Sequence, residues 1–499
     1  MSCGDEAAEA LAGLDAWIAG HEDELVDVVS RLVRVPSVGE PFDPKAAQPF
    51  GSGCAAVIDA TRCLAEGYGL TWENHAYYAM SARLPHAVVS VAGGARPAAP
   101  SQGDTARPAG DARGADPQAA GTVPGPAAKA GDIAFFSHLD VVPTGSQGWS
   151  ADPFSPYIRD GWLFGRGSSD NKGPFSAVLF ALRYLRERNV PLRHDVVLYG
   201  GCDEERGMDD IKYLVPRIPK PAASLVSDAY FPVCYSEKGM ASFDLARRFD
   251  DGSLIAFEGG ASHNTVPDRA AFAVRGESGL VRETVEGHAA HAAFPQQGVN
   301  AVALAAARAA QVEGASPQVR EAMGFIARAF AGYDGSELGV ARRDAELGDT
   351  TCVATGASFA DGVLNVHVNM RYPASETGRE LLACAASAAG AAGFSLHVAD
   401  RSEGYVIDAS SPQVEALTGI VNDRLGTQLE PYAMGGATHA RWIPGAIGFG
   451  PGRNDASGPF PGQPGRGAAH GPDEAVSIQR LKDAVAIYVQ AILYLDTTL

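Results

Sequence analysis

Apolar residues recur along the first half of the chain at spacings that predict alternating helices and strands. Helical spacing predicts helices at 5–34, 55–66 and 173–188, and apolar runs predict strands at 86–94, 131–140 and 195–201. The run 195–201 is continuously apolar, as in a strand whose sheet is covered on both faces. Because strand and helix alternate, the pattern indicates an α/β fold with a mostly parallel central sheet.

The pattern changes after about residue 240. Strands are predicted around ASFDLARRF, AAFAVRG and VLNVHVNMRYP, and Ala-rich helices at 299–312 and 378–392. From about residue 404 the first pattern resumes, and it ends in an amphipathic helix at 478–494. We therefore expect one domain built from residues 1–240 and 404–499, interrupted by an α+β domain at residues 241–403.

A segment at about 95–130 differs from both patterns. It consists almost wholly of Ala, Gly, Pro and small polar residues, and Val123 is its one large aliphatic residue. Such a composition cannot bury enough apolar surface to offset the entropy lost on ordering. The sequence therefore predicts a disordered insertion that joins two strands.

Composition and charge narrow the class of protein. Of the 499 residues 46% are hydrophobic, and the net charge of −19 argues against nucleic acid and anionic membranes as partners. We find no apolar run long enough to span a bilayer, and the acidic N-terminus does not resemble a signal peptide. The seven cysteines form neither a disulfide framework nor a thiolate metal site. A cytoplasmic enzyme is the expectation.

Acidic residues and histidines follow the predicted strands or lie in loops. They occur in FFSHLDVVP (His138, Asp140), GRGSSDNKG (Asp170), LYGGCDEERG (Glu204, Glu205), SDAYFP (Asp228) and AAHGPDE (His470). Alternate residues of a strand share a face, so Asp140 can accept a hydrogen bond from the ring nitrogen that His138 does not offer to a metal. The carboxyl edge of such a sheet is where sites are built.

Each of these residues alone also fits an ordinary structural role. His138 could be a hydrogen-bonded histidine at a strand end, Asp170 a helix N-cap, and the Glu204–Glu205 pair a surface turn. Together they predict a two-metal site, because close carboxylates repel one another unless cations lie between them. Imidazole and carboxylate without thiolate suit two zinc ions, with cobalt or manganese as substitutes. The reaction that such a site indicates is attack of activated water on an amide carbonyl.

The order of these motifs resembles a known superfamily. SHLDVVP, DGWLFGRGSSDNKGP, DEERG, SDAYFPVCYSEKG and AHGPDE are similar to the di-zinc metallopeptidases that include aminoacylases, carnosinases and bacterial dipeptidases, and closest to peptidase V-type dipeptidases. The likeness spans about 10–495 without the insertion. It implies a zinc-peptidase-like catalytic domain and a ferredoxin-like lid at 241–403.

The resemblance implies a role for each residue of the site. Seven residues would form the metal centre: His138 and Asp228 at one zinc, Glu205 and His470 at the other, Asp170 between both, Glu204 as general base and Asp140 as the partner of His138. His291 of the lid would stabilise the oxyanion. Asn264 and Arg371 would grip the substrate carboxylate, for which an arginine fork is well suited.

Two of the lid assignments have alternatives, and one motif departs from the family. Arg371 could be an exposed strand charge, and His291 a surface histidine. The run GGATHAR, in which Gly436 and Thr438 are implied substrate contacts, has His439 where a tyrosine is frequent. That difference puts the pocket for the substrate side chain in question.

The sequence thus predicts a zinc-dependent dipeptidase that acts on small peptides, with Glu204 as its base. An N-acyl amino acid deacylase or desuccinylase of the same fold is the nearest alternative, and a non-catalytic metal-binding protein is the alternative of another class. We expect no nucleic-acid or membrane partner. The length of the lid favours a monomer and leaves a dimer open.

Overall fold

The computed structural model describes residues 10–86, 131–145, 148–260, 264–292, 294–452, 458–463 and 465–499. Within them a central sheet has nine strands. Their order across the sheet is Thr71–His75, Ala79–Leu84, Val196–Gly201, Ile133–His138, Ala223–Val226, Ile447–Gly448, Cys234–Glu237 and Tyr405–Val406, with Tyr432–Met434 also paired to Cys234–Glu237. This sheet carries the predicted site.

The centre of the sheet is parallel, as predicted, and its edges are antiparallel. Val196–Gly201, Ile133–His138 and Ala223–Val226 run parallel side by side, and Ile447–Gly448 continues the parallel set. All six residues of Val196–Gly201 are buried, which agrees with a strand covered on both faces. The α/β prediction for this part of the chain is confirmed.

Helices cover the two faces of this sheet. They are Leu14–Gly20, Glu22–Val33, Ser52–Gly67, Lys172–Glu187, Asp209–Leu214, Pro412–Leu425 and Ile478–Thr498. The helix predicted at 5–34 is wrong as a single element, because its described part is two helices that meet at His21, whose φ of −119° leaves the helical region. No described helix is both long and apolar enough to cross a membrane.

A second, antiparallel sheet forms from the middle of the chain. Its strand order is Gly279–Glu286, Arg269–Gly276, Leu254–Gly259, Thr351–Ala360, Val363–Tyr372, Gly239–Arg248 and Ser395–Ser402. Alternate residues of its strands share a core with the helices Ala301–Ala310, Pro317–Ala331 and Gly378–Ala391. The predicted α+β character is confirmed. Because the strands of this sheet lie between Gly239 and Ser402, we propose domain limits at 1–240, 241–403 and 404–499.

The insertion predicted at 95–130 and most of the strand predicted at 86–94 lie outside the described residues. The chain on either side of them is held together by ion pairs. Arg83 Nη1 lies 2.9 Å from Asp132 Oδ2 and 2.8 Å from Asp195 Oδ2. Asp195 also accepts a 2.7 Å hydrogen bond from the backbone N–H of His86.

Because these contacts join the two ends without the insertion, we expect residues 95–130 to be dispensable. Replacing them with a short Gly/Ser turn should leave the melting temperature and the peptidase activity nearly unchanged. Thermal denaturation and a rate assay on the shortened chain check this. A large fall in either quantity would show that the insertion packs on the body of the protein.

Candidate active site

The predicted ligands meet at the carboxyl edge of the parallel strands. His138 is the last residue of Ile133–His138, and Glu204 and Glu205 follow shortly after Val196–Gly201. Asp228 comes just after Ala223–Val226, the neighbouring parallel strand. Parallel strands end at one edge, so three separate segments deliver their side chains to one place.

Asp170 lies between two histidines. Its Oδ1 is 2.9 Å from Nε2 of His138, and its Oδ2 is 3.1 Å from Nε2 of His470. The same nitrogen of His470 is 3.0 Å from Oε2 of Glu205, and His138 Nε2 is 3.7 Å from Oδ2 of Asp228. Each oxygen of Asp170 therefore faces one histidine and its acidic partner, which is the arrangement a bridging carboxylate needs.

The turn that carries Glu204 and Glu205 is held by a buried carboxylate. Asp140 accepts hydrogen bonds from the backbone N–H of Glu204 at 3.3 Å and of Glu205 at 3.1 Å. Nδ1 of His138 lies 3.1 Å from the backbone oxygen of Asp140 and 3.4 Å from its Oδ1. Asp140 therefore lies where the sequence predicted it, beside His138, and it also orients the acidic pair.

Burial and mutual repulsion perturb the acids of this cluster. Burial, followed by the charge of Asp228, raises the pKa of Glu204 well above its ordinary value. Burial and the charge of Asp170 raise the pKa of Glu205 and bring that of Asp228 to about 7. The cluster thus holds more negative charge than the surrounding side chains offset, which favours cations at this place.

The histidines stabilise the central carboxylate. Burial opposes ionisation of Asp170, but its hydrogen bonds with His138 and His470 hold its pKa far below the ordinary value. Burial likewise disfavours protonated His470, yet the charge of Glu205 and the hydrogen bonds to Asp170 and Glu205 raise its pKa to about 12. Divalent cations at this point would supply positive charge to the same carboxylates.

The donor set fits divalent metal ions. Ligand atoms of His138, Asp170 and Glu205 lie within 4.8 Å of one another, and so do those of His138, Glu204 and Asp228. All are imidazole nitrogens or carboxylate oxygens, the donors that suit zinc and its substitutes. By distance alone Glu204 could be a ligand as well as a base. Its Oε1 is buried and has no hydrogen-bond partner among the described residues.

A buried ion pair that was not predicted from the sequence supports two of these ligands. Nη1 of Arg166 lies 2.5 Å from Oε2 of Glu474, and both side chains are almost wholly buried. Oε1 of Glu474 accepts a 3.1 Å hydrogen bond from the N–H of Asp170, and Arg166 Nη2 donates to the backbone oxygen of His470 at 3.1 Å. His470 has a φ of +64°, so this bond helps to hold an unfavourable backbone.

A cleft of about 730 Å³ joins the metal-fitting cluster to the second sheet. Its lining includes Glu204, Glu205 and His470 from one side and Asn264 and Arg371 from the other. Gly436 lines this cleft, and with Thr438 it also lines a smaller cavity of about 170 Å³ beside the same acids. These residues, which the sequence pointed to separately, therefore lie around one space.

Arg371 is a buried strand residue and not the exposed charge considered above. It is 4% exposed, and burial lowers its pKa to about 10. Its guanidinium donates to the backbone oxygen of Gly435 at 2.7 Å and to Oδ1 of Asn369 at 3.4 Å, both neutral acceptors. Among the described residues no carboxylate forms an ion pair with it. Such a guanidinium is suited to bind an anion that enters the cleft.

The structure places the three remaining residues of the sequence-based assignment differently: Thr438, His291 and His439. Thr438 is 4% exposed, and its hydroxyl donates to the buried carboxylate of Glu237 at 2.5 Å, although it borders the smaller cavity. The backbone of His291 pairs with Thr265, but its side chain is outside the described part of the structure. His439 is 2% exposed and lines neither cavity. The histidine at this position therefore does not reshape the substrate pocket directly.

The fold and the site together define a metal-dependent peptidase with a second, lid-like sheet over its cleft. The chain belongs to the peptidase family M20/M25/M40, whose sequence pattern matches residues 134–494. Among its relatives, "Putative dipeptidase YtjP" of Bacillus subtilis is 28% identical over 393 residues, covering 72% of this chain and 82% of that protein. A "Putative dipeptidase" of Staphylococcus epidermidis is 27% identical over 402 residues, covering 73% and 83%.

Solved structures support the same fold. Human carnosine dipeptidase 1 superposes with a TM-score of 0.57 at 14% identity, covering 98% of this chain and 100% of that one. The dipeptidase Dug1p of Saccharomyces cerevisiae gives a TM-score of 0.58 at 11% identity, covering 98% and 99%. At such identities the likeness concerns the fold alone.

Proposed function

We propose that the protein is a dipeptidase of the cytoplasm that hydrolyses small peptides with two zinc ions, for which cobalt or manganese could substitute. One observation carries the proposal. The same cleft holds a cluster that fits two cations and, on the facing sheet, the buried guanidinium of Arg371, to which the described residues supply no carboxylate partner. A molecule that fits both would place an amide bond at the metal-fitting cluster and a free carboxylate at Arg371. A short peptide has both groups.

In this proposal His138, Asp170, Glu205, Asp228 and His470 hold the metal ions. When bound, these ions would acidify a water molecule and polarise the carbonyl of the peptide bond. The side chains of the protein hold the ions, transfer the proton and bind the substrate. Asp170 would bridge, because each of its oxygens faces a different histidine.

Glu204 is the general base that we propose. It borders both cavities, and its Oε1 has no hydrogen-bond partner among the described residues, which suits a carboxylate that takes a proton from water and returns it to the leaving amine. Asp140 holds its backbone, so the carboxylate keeps its direction during the transfer. We further propose that His291 stabilises the oxyanion, with Asn264 assisting Arg371.

The substrate class follows from the anion site. Arg371 would bind the C-terminal carboxylate of a dipeptide, and Gly436 and Thr438 would border the residue on the other side of the scissile bond. An N-acyl amino acid shares the carboxylate and the amide, so deacylation remains the second candidate. The relatives named dipeptidases, and the dipeptidases that share the fold, favour the first.

A substrate panel tests this proposal. Zinc-loaded protein is given dipeptides, the same dipeptides with an amidated C-terminus, and N-acetyl amino acids. Hydrolysis of the free dipeptides with a much higher KM for the amides is expected, because the amide leaves Arg371 without its anion. Preferential hydrolysis of the N-acetyl amino acids would establish a deacylase instead. No hydrolysis at all, with metal bound, would favour the non-catalytic alternative.

We expect two divalent ions per chain. The geometry offers two partly separate groups of donors, with Asp170 between the histidines. A related M20-family protein, Bacillus subtilis YXEP, is described as a dinuclear metal-binding peptidase, at a TM-score of 0.50, 10% identity, and 96% and 100% coverage. Elemental analysis after dialysis measures the ratio. One equivalent with full activity would rule out the two-metal site.

We also expect the site to be complete within one chain. The second sheet has seven strands within the described residues and packs with three helices, which is larger than one ferredoxin-like unit requires. His291 should therefore serve its own chain, and a monomer should be active. Mixing inactive Glu204→Ala protein with inactive His291→Ala protein checks this. Recovery of activity on mixing would show that His291 acts across a dimer.

A further inference from the structure

His439 forms a buried contact with an acid that takes no part in metal binding. Its Nε2 lies 3.1 Å from Oδ2 of Asp210, in an ion-pair contact rather than an aligned hydrogen bond. His439 is 2% exposed and Asp210 is wholly buried. The space around the pair is full, because a Cβ atom at Gly201 would come within 2.0 Å of the Asp210 carboxylate and 2.9 Å of the imidazole.

Asp210 connects this histidine to the acidic turn of the site. Its Oδ2 accepts a 3.0 Å hydrogen bond from the backbone N–H of Asp203, the residue before Glu204. One and two residues further along, the N–H groups of Glu204 and Glu205 donate to Asp140. The turn from 203 to 205 is therefore fixed between two buried carboxylates, Asp140 and Asp210.

Each of the two carboxylates, Asp140 and Asp210, lies beside a buried histidine. Asp140 lies beside His138, and Asp210 lies beside His439, and the two imidazole rings meet edge to face with centroids 6.4 Å apart. A buried carboxylate without a partner is costly, and in the described part of the chain the one basic side chain in ion-pair contact with Asp210 is His439. Although burial opposes it, the charge of His439 holds the pKa of Asp210 below its ordinary value.

We propose that His439 is a positioning residue that acts through Asp210 to fix the turn bearing the general base and one metal ligand. This inference rests on the function proposed above for Glu204 and Glu205. It gives the departure in GGATHAR a role: the histidine supports the acids from behind and does not contact the substrate. Loss of the pair should misplace both acids while leaving the anion site at Arg371 intact.

Substitutions within the pair test this. His439→Leu removes the partner of Asp210, and Asp210→Ala removes the acceptor for Asp203. Each is expected to lower kcat and the affinity for metal by roughly 10- to 100-fold, the usual effect of losing a group that orients metal ligands. KM for a dipeptide should change little. The double variant His439→Gln with Asp210→Asn restores a neutral contacting pair, and it should recover most of both losses.

The chain offers a matched control far from the site. His194 and Asp496 also form a buried pair at 3.1 Å, with 3% and 4% exposure, between a loop and the C-terminal helix. His194→Leu should lower the melting temperature without changing kcat or metal affinity. Metal affinity is measured by competition with a chromophoric chelator, and it decides the matter even if no dipeptide is cleaved, which would refute only the proposed function.

Two results would overturn the proposal. The first is wild-type kcat and metal affinity in His439→Leu protein at full metal loading. The second is a neutral double variant that recovers neither quantity. If His439→Leu does not fold, Asp210→Asn keeps the acceptor for Asp203 and must retain near wild-type metal affinity; a loss as large as that of Asp210→Ala would contradict the proposed role.

Discussion

Replacing Glu204 with alanine is expected to reduce kcat by a factor on the order of 10² to 10⁴, the usual cost of losing a general base. Metal content should stay at two ions, because His138, Asp170, Glu205, Asp228 and His470 all remain. The buried Oε1 of Glu204 has no described hydrogen-bond partner, so its removal leaves no other group unsatisfied. Steady-state kinetics and elemental analysis on the same sample measure the two quantities.

Two variants make this result specific. Glu204→Gln keeps the shape of the side chain and should be nearly as inactive as Glu204→Ala. Glu205→Ala should instead lose metal, since its carboxylate lies 3.0 Å from His470. If Glu204→Ala emptied a metal site, the roles of the two glutamates would be exchanged. This second outcome is tested because ligand atoms of Glu204, His138 and Asp228 also lie close enough together to hold a metal ion.

Glu474→Ala is expected to destabilise the protein by about 3–5 kcal/mol, because it leaves the guanidinium of Arg166 buried without its partner. Arg166 is 1% exposed and Glu474 is fully buried. Urea denaturation measures the free energy of unfolding. Metal affinity should fall as well, since the same carboxylate holds the N–H of Asp170.

An exposed pair is the control for this prediction. Arg62 and Glu66 lie 2.8 Å apart, and their side chains are 59% and 51% exposed. Glu66→Ala should change the free energy of unfolding far less than Glu474→Ala, because water screens a surface ion pair. An equally small effect of Glu474→Ala would mean that Arg166 finds another acceptor or reaches water.

The central fold was predictable because its signals are local. Continuous apolar runs identified Ile133–His138 and Val196–Gly201, and the acids and histidines at their ends follow from the geometry of parallel strands. Strands at the edge of a sheet have a weaker hydrophobic pattern in their sequence. The strand Gly279–Glu286 is exposed along most of its length, so its sequence lacks the alternation that burial imposes. It was not predicted, nor was the helix Pro317–Ala331.

Long-range polar contacts could not be predicted from spacing. Arg166 and Glu474 are 308 residues apart, and His439 meets Asp210, from a distant part of the chain, on one face of the central sheet. Nothing in the local sequence of GRGSS or GGATHAR names the partner of the arginine or the histidine. A weak signal existed for Glu474, which lies in the same short run as His470. Arg371 lines the cleft, but its burial depends on the register of the second sheet and could not be read from its own strand.

The described residues that flank the insertion, His86 and Gly131, lie near the end of the central strands opposite to the chemistry, because Leu84 and Ile133 both pair with Val196. The chain re-enters the described region at 131, just before the strand Ile133–His138, whose far end is His138. At about 3.3 Å per residue, roughly 17 Å separates the two ends of that strand. A dye, an affinity tag or a whole fused protein that replaces the segment between His86 and Gly131 would therefore be joined to the chain at the end of the sheet away from the substrate entrance.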